Sequence, residues 1–260
     1  MAEGAPAESS PHSVDARFAL AVASGKGGVG KSTVTVNLAL ALARRGLKVG
    51  LLDADIYGPN VPLMMGINQS SAQVRDGRIQ PVIAYGIQVM SVGFIAPAGK
   101  ALIWRGPLAN KLIEQFLTEV DWGKLDAFLI DLPPGTGDVP LSIIQKADLT
   151  AGVIVTTPQE ASIADVRKMI DMFHTTDIRV LGIVENMKFI ACPHCHRTID
   201  LYPGASGAES LEVKVLTKLP YIPELSQRDT KGQPFLLTHP EADISKRFTD
   251  LAEIVYSELN

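Results

Sequence analysis

Cysteine is nearly absent: among 260 residues there are two, Cys192 and Cys195, set two residues apart. A pair so close cannot close a useful disulfide loop, which excludes a disulfide-stapled scaffold and turns attention to metal or redox chemistry. No apolar run approaches the ~18 residues that would span a membrane. Positive charge is not in excess either. With 24 Lys and Arg against 28 Asp and Glu, the net charge of −4 argues against a broad nucleic-acid-binding face. Residues 1–15 lack the basic start and apolar centre of a signal peptide; rich in Ala, Pro, Ser and Glu, they are expected to form a flexible leader. These absences favour the cytoplasm or another reducing compartment. No internal repeat is evident. What remains is an ordinary globular composition, 46% hydrophobic and 20% charged, in a length that suits one large α/β domain over residues 16–260.

The strongest positive signal is Gly25-Lys26-Gly27-Gly28-Val29-Gly30-Lys31-Ser32-Thr33, between an apolar run at 18–23 and a helix-forming stretch at 34–45. It fits G-x-x-x-x-G-K-[ST] in its required setting of strand, glycine-rich turn and helix. Glycines let consecutive backbone N–H groups converge on phosphate oxygens, and the helix aims the positive end of its dipole at the same point. Lys31 is therefore expected on the β and γ phosphates of ATP, and Ser32 on Mg²⁺. Lys26, directly after the first glycine, makes a GKGGVGKS pattern that resembles the deviant Walker A ATPases, the class of MinD, ParA and the nitrogenase iron protein. That resemblance implies a homodimer in which Lys26 reaches the nucleotide of the other subunit and stabilises charge on the transferred phosphoryl group.

Further along, apolar runs at 48–52, 127–130, 152–156, 180–184 and 213–219 alternate with helical patterns at 108–120, 157–173 and 242–259. Shorter strand candidates lie at 79–84 and 87–92. The alternation predicts a mostly parallel, doubly wound sheet flanked by helices, the three-layer α/β/α form of a P-loop NTPase. Three strand ends deliver polar residues to the carboxyl edge, where ligands of such sheets bind. Asp53 and Asp55 follow the second strand within DADIYGP; by resemblance Asp55 orients the attacking water, and Asp53 supports the loop and the magnesium shell. Asp131, opening DLPPGTGD, stands at the Walker B position expected to hold Mg²⁺ through water. Asn186, in Glu185-Asn186-Met187, is by resemblance the adenine reader, with the amide donor and acceptor that adenine requires. Trp104-Arg105-Gly106-Pro107 precedes the 108–120 helix as a candidate subunit contact.

The cysteine pair lies in a loop near 187–200 that reads Met187-Lys188-Phe189-Ile190-Ala191-Cys192-Pro193-His194-Cys195-His196. Several chemistries fit C-x-x-C: haem attachment, which needs an exported chain; a thioredoxin-like redox pair, which caps a helix; zinc; and an iron–sulfur cluster. A tetrahedral zinc or a four-iron cluster needs about four ligands, so one chain falls short and two chains meeting on a two-fold axis would supply the set. E-N-M followed by C-P-x-C, with GKGGVGKST, DADIYGP, WRGP and DLPPGTGD in this order, resembles the Mrp/ApbC branch of the deviant Walker A class. The resemblance implies an ATP-hydrolysing carrier that holds a [4Fe-4S] cluster between subunits on Cys192 and Cys195 and passes it to apo-proteins; the acidic chain, and a final helix without a strongly basic face, lead to the expectation of no membrane or nucleic-acid partner. His196 stands where a glycine is usual in that family, so His194 or His196 is an alternative metal ligand in place of, or beside, the thiolates, and a zinc-bridged dimer is an alternative to the cluster. The rival from another class is a MinD- or ParA-like positioning ATPase.

Overall fold

The apolar run after the leader forms the centre of the sheet, β1 (Ala16–Ala23), its last six residues buried. The computed structural model describes residues 14–95, 106–192, 194–195, 197–205, 207–226 and 233–260. Residues 1–13 of the expected leader, Trp104, Arg105 and His196 lie outside the described residues. After β1 the phosphate loop leads into α1 (Lys31–Arg44), which is buried from Val34 through Leu42. Such a helix needs cover on several sides, and it lies between the sheet and other helices. Then come β2 (Val49–Asp53), the short α2 (Val61–Met64), the hairpin β3 (Gln73–Arg75) and β4 (Arg78–Gln80), β5 (Val82–Ala84) and β6 (Ile87–Ser91). The second half holds α3 (Gly106–Thr118), β7 (Leu125–Asp131), α4 (Asp138–Lys146), β8 (Ala151–Thr156), α5 (Glu160–Thr175), β9 (Val180–Ala191) and β10 (Thr198–Asp200). It closes with β11 (Val215–Pro220), α6 (Pro223–Ser226), α7 (Phe235–Thr238) and α8 (Asp243–Leu259).

Among the described residues the main sheet has nine strands. The parallel order is β11-β9-β8-β1-β7-β2-β6, with β5 antiparallel on β6 and β10 antiparallel on the far end of β9. This is the doubly wound arrangement that the alternation of apolar runs predicts. From β1 the chain crosses to β2 on one side, while β8 and β9 build on the other, so the loop after β1 sits at the reversal point of strand order. Within the core, Phe18, Phe116, Phe128, Phe173 and Phe248 are fully buried. Each such side chain contributes roughly 2–3 kcal/mol by leaving water.

Three features differ from the sequence expectation. The strand expected at 180–184 runs on to Ala191: Met187 takes a left-handed φ of 55°, the pairing with β11 shifts register there, and the chain resumes against β10. The α4 helix, where no helix was expected directly after DLPPGTGD, buries Val139, Ile143 and Ile144 and tolerates Pro140 in its first turn. The 79–84 run divides at Pro81, which gives β4 to the small hairpin and β5 to the main sheet.

Candidate nucleotide site and cysteine hairpin

Gly28 and Gly30 have φ of 82° and 88°, which side-chain-bearing residues rarely adopt, and they bend the loop around the start of α1. A Cβ at Gly30 would fall 2.2 Å from Asn186 Nδ2. The first turn of α1 has no acidic residue and no side-chain cap, so its N–H groups face the loop without a competing anion. Lys31 is buried, and its Nζ lies 2.9 Å from Asp131 Oδ1. That contact is an ion pair by proximity only: Nζ has no partner in hydrogen-bond geometry among the described residues. A buried ammonium with donors to spare beside a glycine cradle suits phosphate oxygens.

Asp131, fully buried at the end of β7, gathers this end of the loop. Its Oδ2 accepts from Ser32 Oγ (2.6 Å) and its Oδ1 from Thr35 Oγ1 (2.8 Å). Ser32 and Asp131 thus offer hard oxygen donors side by side, a set that fits Mg²⁺. On the next strand Asp53 is the register partner of Asp131. It too is fully buried; Ser91 Oγ (3.0 Å) and the Val61 N–H (3.3 Å) donate to one oxygen, and the Asp55 N–H (3.2 Å) donates to the other. Burial first, then the charge of Asp131, pushes the Asp53 carboxyl up to about 8, against an opposing pull from Lys31. Asp55 points the other way, into the cleft, and burial raises its carboxyl as well.

The cleft, about 680 Å³, runs from the loop along α1. Its walls include Asp55, Met64, Pro134, Met187 and the stacked rings of Phe235 and His239, 4.4 Å apart at 14°. That size and mixture suit a nucleotide. Asn186 is buried behind the loop, and its Nδ2 donates to Val29 O (2.9 Å). One amide N–H therefore braces the loop; the adenine-reading role expected from resemblance requires the other N–H and the oxygen. The Gly135 N–H donates to Ser24 O (2.8 Å), tying the DLPPGTGD segment to the loop. Lys26 extends away from the cleft floor to Gln159 Oε1 (2.8 Å).

Cys192 and Cys195 occupy the tip of the hairpin that β9 and β10 build. The turn is closed where the Cys192 N–H donates to Arg197 O (2.9 Å). Both thiols are free, and Cys195 is exposed. The N–H groups of Cys195 and His194, then the Cys195 thiol, hold the Cys192 thiol below its usual range, which favours the thiolate that ligates metal. Among the described residues no three Cys, His, Asp or Glu side chains converge. The hairpin root is clamped by a Lys188–Asp200 ion pair (3.2 Å), by the Tyr221 N–H on Phe189 O (2.7 Å) and by Arg247 over the Phe189 ring. Sequence reasoning missed Thr35, Ser91, Gln159, Tyr202 and the Phe235–His239 wall. Thr35 alone carried a local signal, one helical turn beyond Lys31 and so on the same face.

A loop after the central strand, answered by a buried carboxylate on its neighbour at the reversal of strand order, is the construction of P-loop NTPases, and this chain is one of them. A nucleotide-binding protein from Archaeoglobus fulgidus, solved in complex with ADP, matches with a TM-score of 0.72 at 39% identity, covering 92% of this chain and 88% of that one. The cell-division ATPase MinD of Pyrococcus furiosus shares the fold, with a TM-score of 0.68 at 24% identity, covering 93% of this chain and 99% of that one. Within the class, the chain belongs to the NUBPL iron-transfer P-loop NTPase family of the ParA group, whose model matches residues 15–256. Its relatives include the iron-sulfur cluster carrier protein of Aquifex aeolicus, 43% identical over 241 residues, 91% of this chain and 66% of that protein. An iron-sulfur protein required for NADH dehydrogenase, mitochondrial, from Arabidopsis thaliana is 42% identical over 245 residues, 92% of this chain and 78% of that protein. The chain thus spans just under two thirds of the length of the Aquifex relative. Among the described residues no helix is long and apolar enough to cross a membrane.

Proposed function

We propose that this chain binds and hydrolyses ATP and, as a homodimer, carries a [4Fe-4S] cluster that it delivers to apo-proteins in the cytoplasm or a comparable reducing compartment. Lys31 and the loop N–H groups hold the β and γ phosphates, while Asn186 reads adenine with the part of its amide not spent on Val29. Ser32 and Asp131 hold Mg²⁺, which when bound neutralises phosphate charge. Asp55 orients a water toward the γ phosphorus; the bond to the bridging oxygen breaks, and ADP and phosphate leave. Lys26 of each subunit serves the nucleotide of the other.

The cargo is held by Cys192 and Cys195 of both subunits, four thiolates in all. The observation that carries this reading is the pair of free thiols at the tip of a hairpin that grows directly out of the strand walling the nucleotide cleft. Family membership and the cluster-carrier relatives support it. Anaerobic reconstitution with iron and sulfide tests it. The wild type is expected to take up four iron and four sulfide per dimer, and Cys192→Ser and Cys195→Ser to take up little. Equal loading of the variants, or zinc held in preference to cluster, overturns the carrier reading.

A further inference from the structure

The phosphate loop and the cysteine hairpin are joined by a line of side chains outside the cleft. Lys26 Nζ donates to Gln159 Oε1 (2.8 Å), and the Nε2 of the same amide donates to Tyr202 Oη (3.1 Å). The Tyr202 N–H donates to Asp200 Oδ1 (2.8 Å), and Asp200 pairs across the hairpin with Lys188 (3.2 Å). Gln159 sits at the N-cap position of α5, on a fixed element, and turns one end of its amide to each partner. Three residues separate Lys188 from Cys192, which directly follows the end of β9.

We propose that Lys26, Gln159 and Tyr202 form a latch through which the phosphate loop controls the cysteine hairpin. With the loop empty, the ammonium fixes the Gln159 amide by its oxygen, and the amide hands its N–H to Tyr202 and steadies the root of β10. A bound phosphate group outcompetes an amide oxygen for the ammonium, because the charge-assisted contact is the stronger. Once Lys26 leaves, the Gln159 rotamer has lost the partner that set it, and Tyr202 loses its anchor. Each link is solvent-facing and individually weak, so the latch opens without breaking the core. By linkage the coupling is reciprocal: what holds the hairpin in its latched position also competes for Lys26. The inference rests on the proposed nucleotide role of Lys26, but it requires no cluster.

The test is the rate at which iodoacetamide alkylates Cys192 and Cys195 in the metal-free full chain, followed by mass spectrometry, without nucleotide and with Mg²⁺ and a non-hydrolysable ATP analogue. The analogue is expected to accelerate alkylation of the wild type by about two- to fivefold, the size of one exposed hydrogen-bonded contact. Tyr202→Phe, which deletes only the hydroxyl, should react at the accelerated rate in both states, and Gln159→Ala likewise. The latch is overturned if the analogue leaves the wild-type rate unchanged, or if both variants keep the wild-type response. Normal cluster uptake without any nucleotide effect on the thiols sinks the latch and spares the carrier reading. A working latch in a chain that takes up no cluster does the reverse.

Discussion

Asp53 and Asp131 stand side by side as register partners of β2 and β7, both fully buried at the same level of the sheet. Two carboxyls so placed, with the Lys31 ammonium against Asp131, set the proton balance of the site. The folded protein favours protonated Asp53, whose carboxyl is raised from 3.8 to about 8 by burial first and Asp131 second. The stability this contributes is full below about pH 4 and is lost as the pH rises through about 8. Asp53→Asn imitates the protonated carboxyl at every pH. In nucleotide-free protein its melting temperature should therefore gain on the wild type by several degrees from acidic to mildly alkaline buffer, measured by differential scanning calorimetry. A gap that does not change with pH would contradict this.

Lys31 and Thr35 reach the same carboxylate and should separate on substitution. Lys31→Ala leaves Asp131 buried without its counter-ion, a loss of roughly 3 kcal/mol, and removes the ammonium expected on phosphate. Thr35→Val deletes one hydroxyl, at a cost of about 1–2 kcal/mol. Urea unfolding together with fluorescent-ADP titration should show both variants destabilised, and nucleotide binding abolished only in Lys31→Ala.

Lys26 lies outside the core, and its ammonium donates to the exposed Gln159 amide. Lys26→Ala is therefore expected to fold and to bind nucleotide, while phosphate release falls by about 100-fold or more, as when a transition-state donor is removed. In the wild type, release per chain should rise with protein concentration if the lysine acts across a dimer. Full activity in the variant would remove Lys26 from the catalytic set.

Asn186→Ala removes the brace on Val29 O and, by the proposal, the base reader. Losing the brace should weaken ATP and GTP alike and lower stability by about 1 kcal/mol; losing the reader should weaken ATP further. Competitive titration of both nucleotides separates the two. Equal losses leave Asn186 as a brace only.

The site's chemistry was legible where it is local. The glycine loop, its lysine and serine, and the aspartates at the ends of apolar runs are all set by short-range pattern, and they fall at one edge of the sheet as expected. What escaped the sequence depends on pairings over long separations: Thr35 meets Asp131 96 residues away, Ser91 meets Asp53 across β2 and β6, and Lys26 meets Gln159 133 residues away. The extension of β9 was hidden by its own composition. Glu185 and Asn186 interrupt the apolar run, and the strand continues beyond them through a left-handed backbone at Met187. The short α4 was masked because Asp138 and Pro140 are residue types as common in loops as in the first turn of a helix.

The unbroken length of β9 has an architectural consequence. The loop that would grip phosphate and the thiols of the proposed cargo site are joined through one strand: Asn186 touches the loop, and Cys192 lies six positions on, just past the end of β9, about 20 Å if fully extended. An added residue between them would turn the sulfurs to the opposite side of the sheet, whereas two would only move them outward. The spacing behaves as a gear ratio cut into the backbone, which an insertion of even length would preserve and one of odd length would reverse.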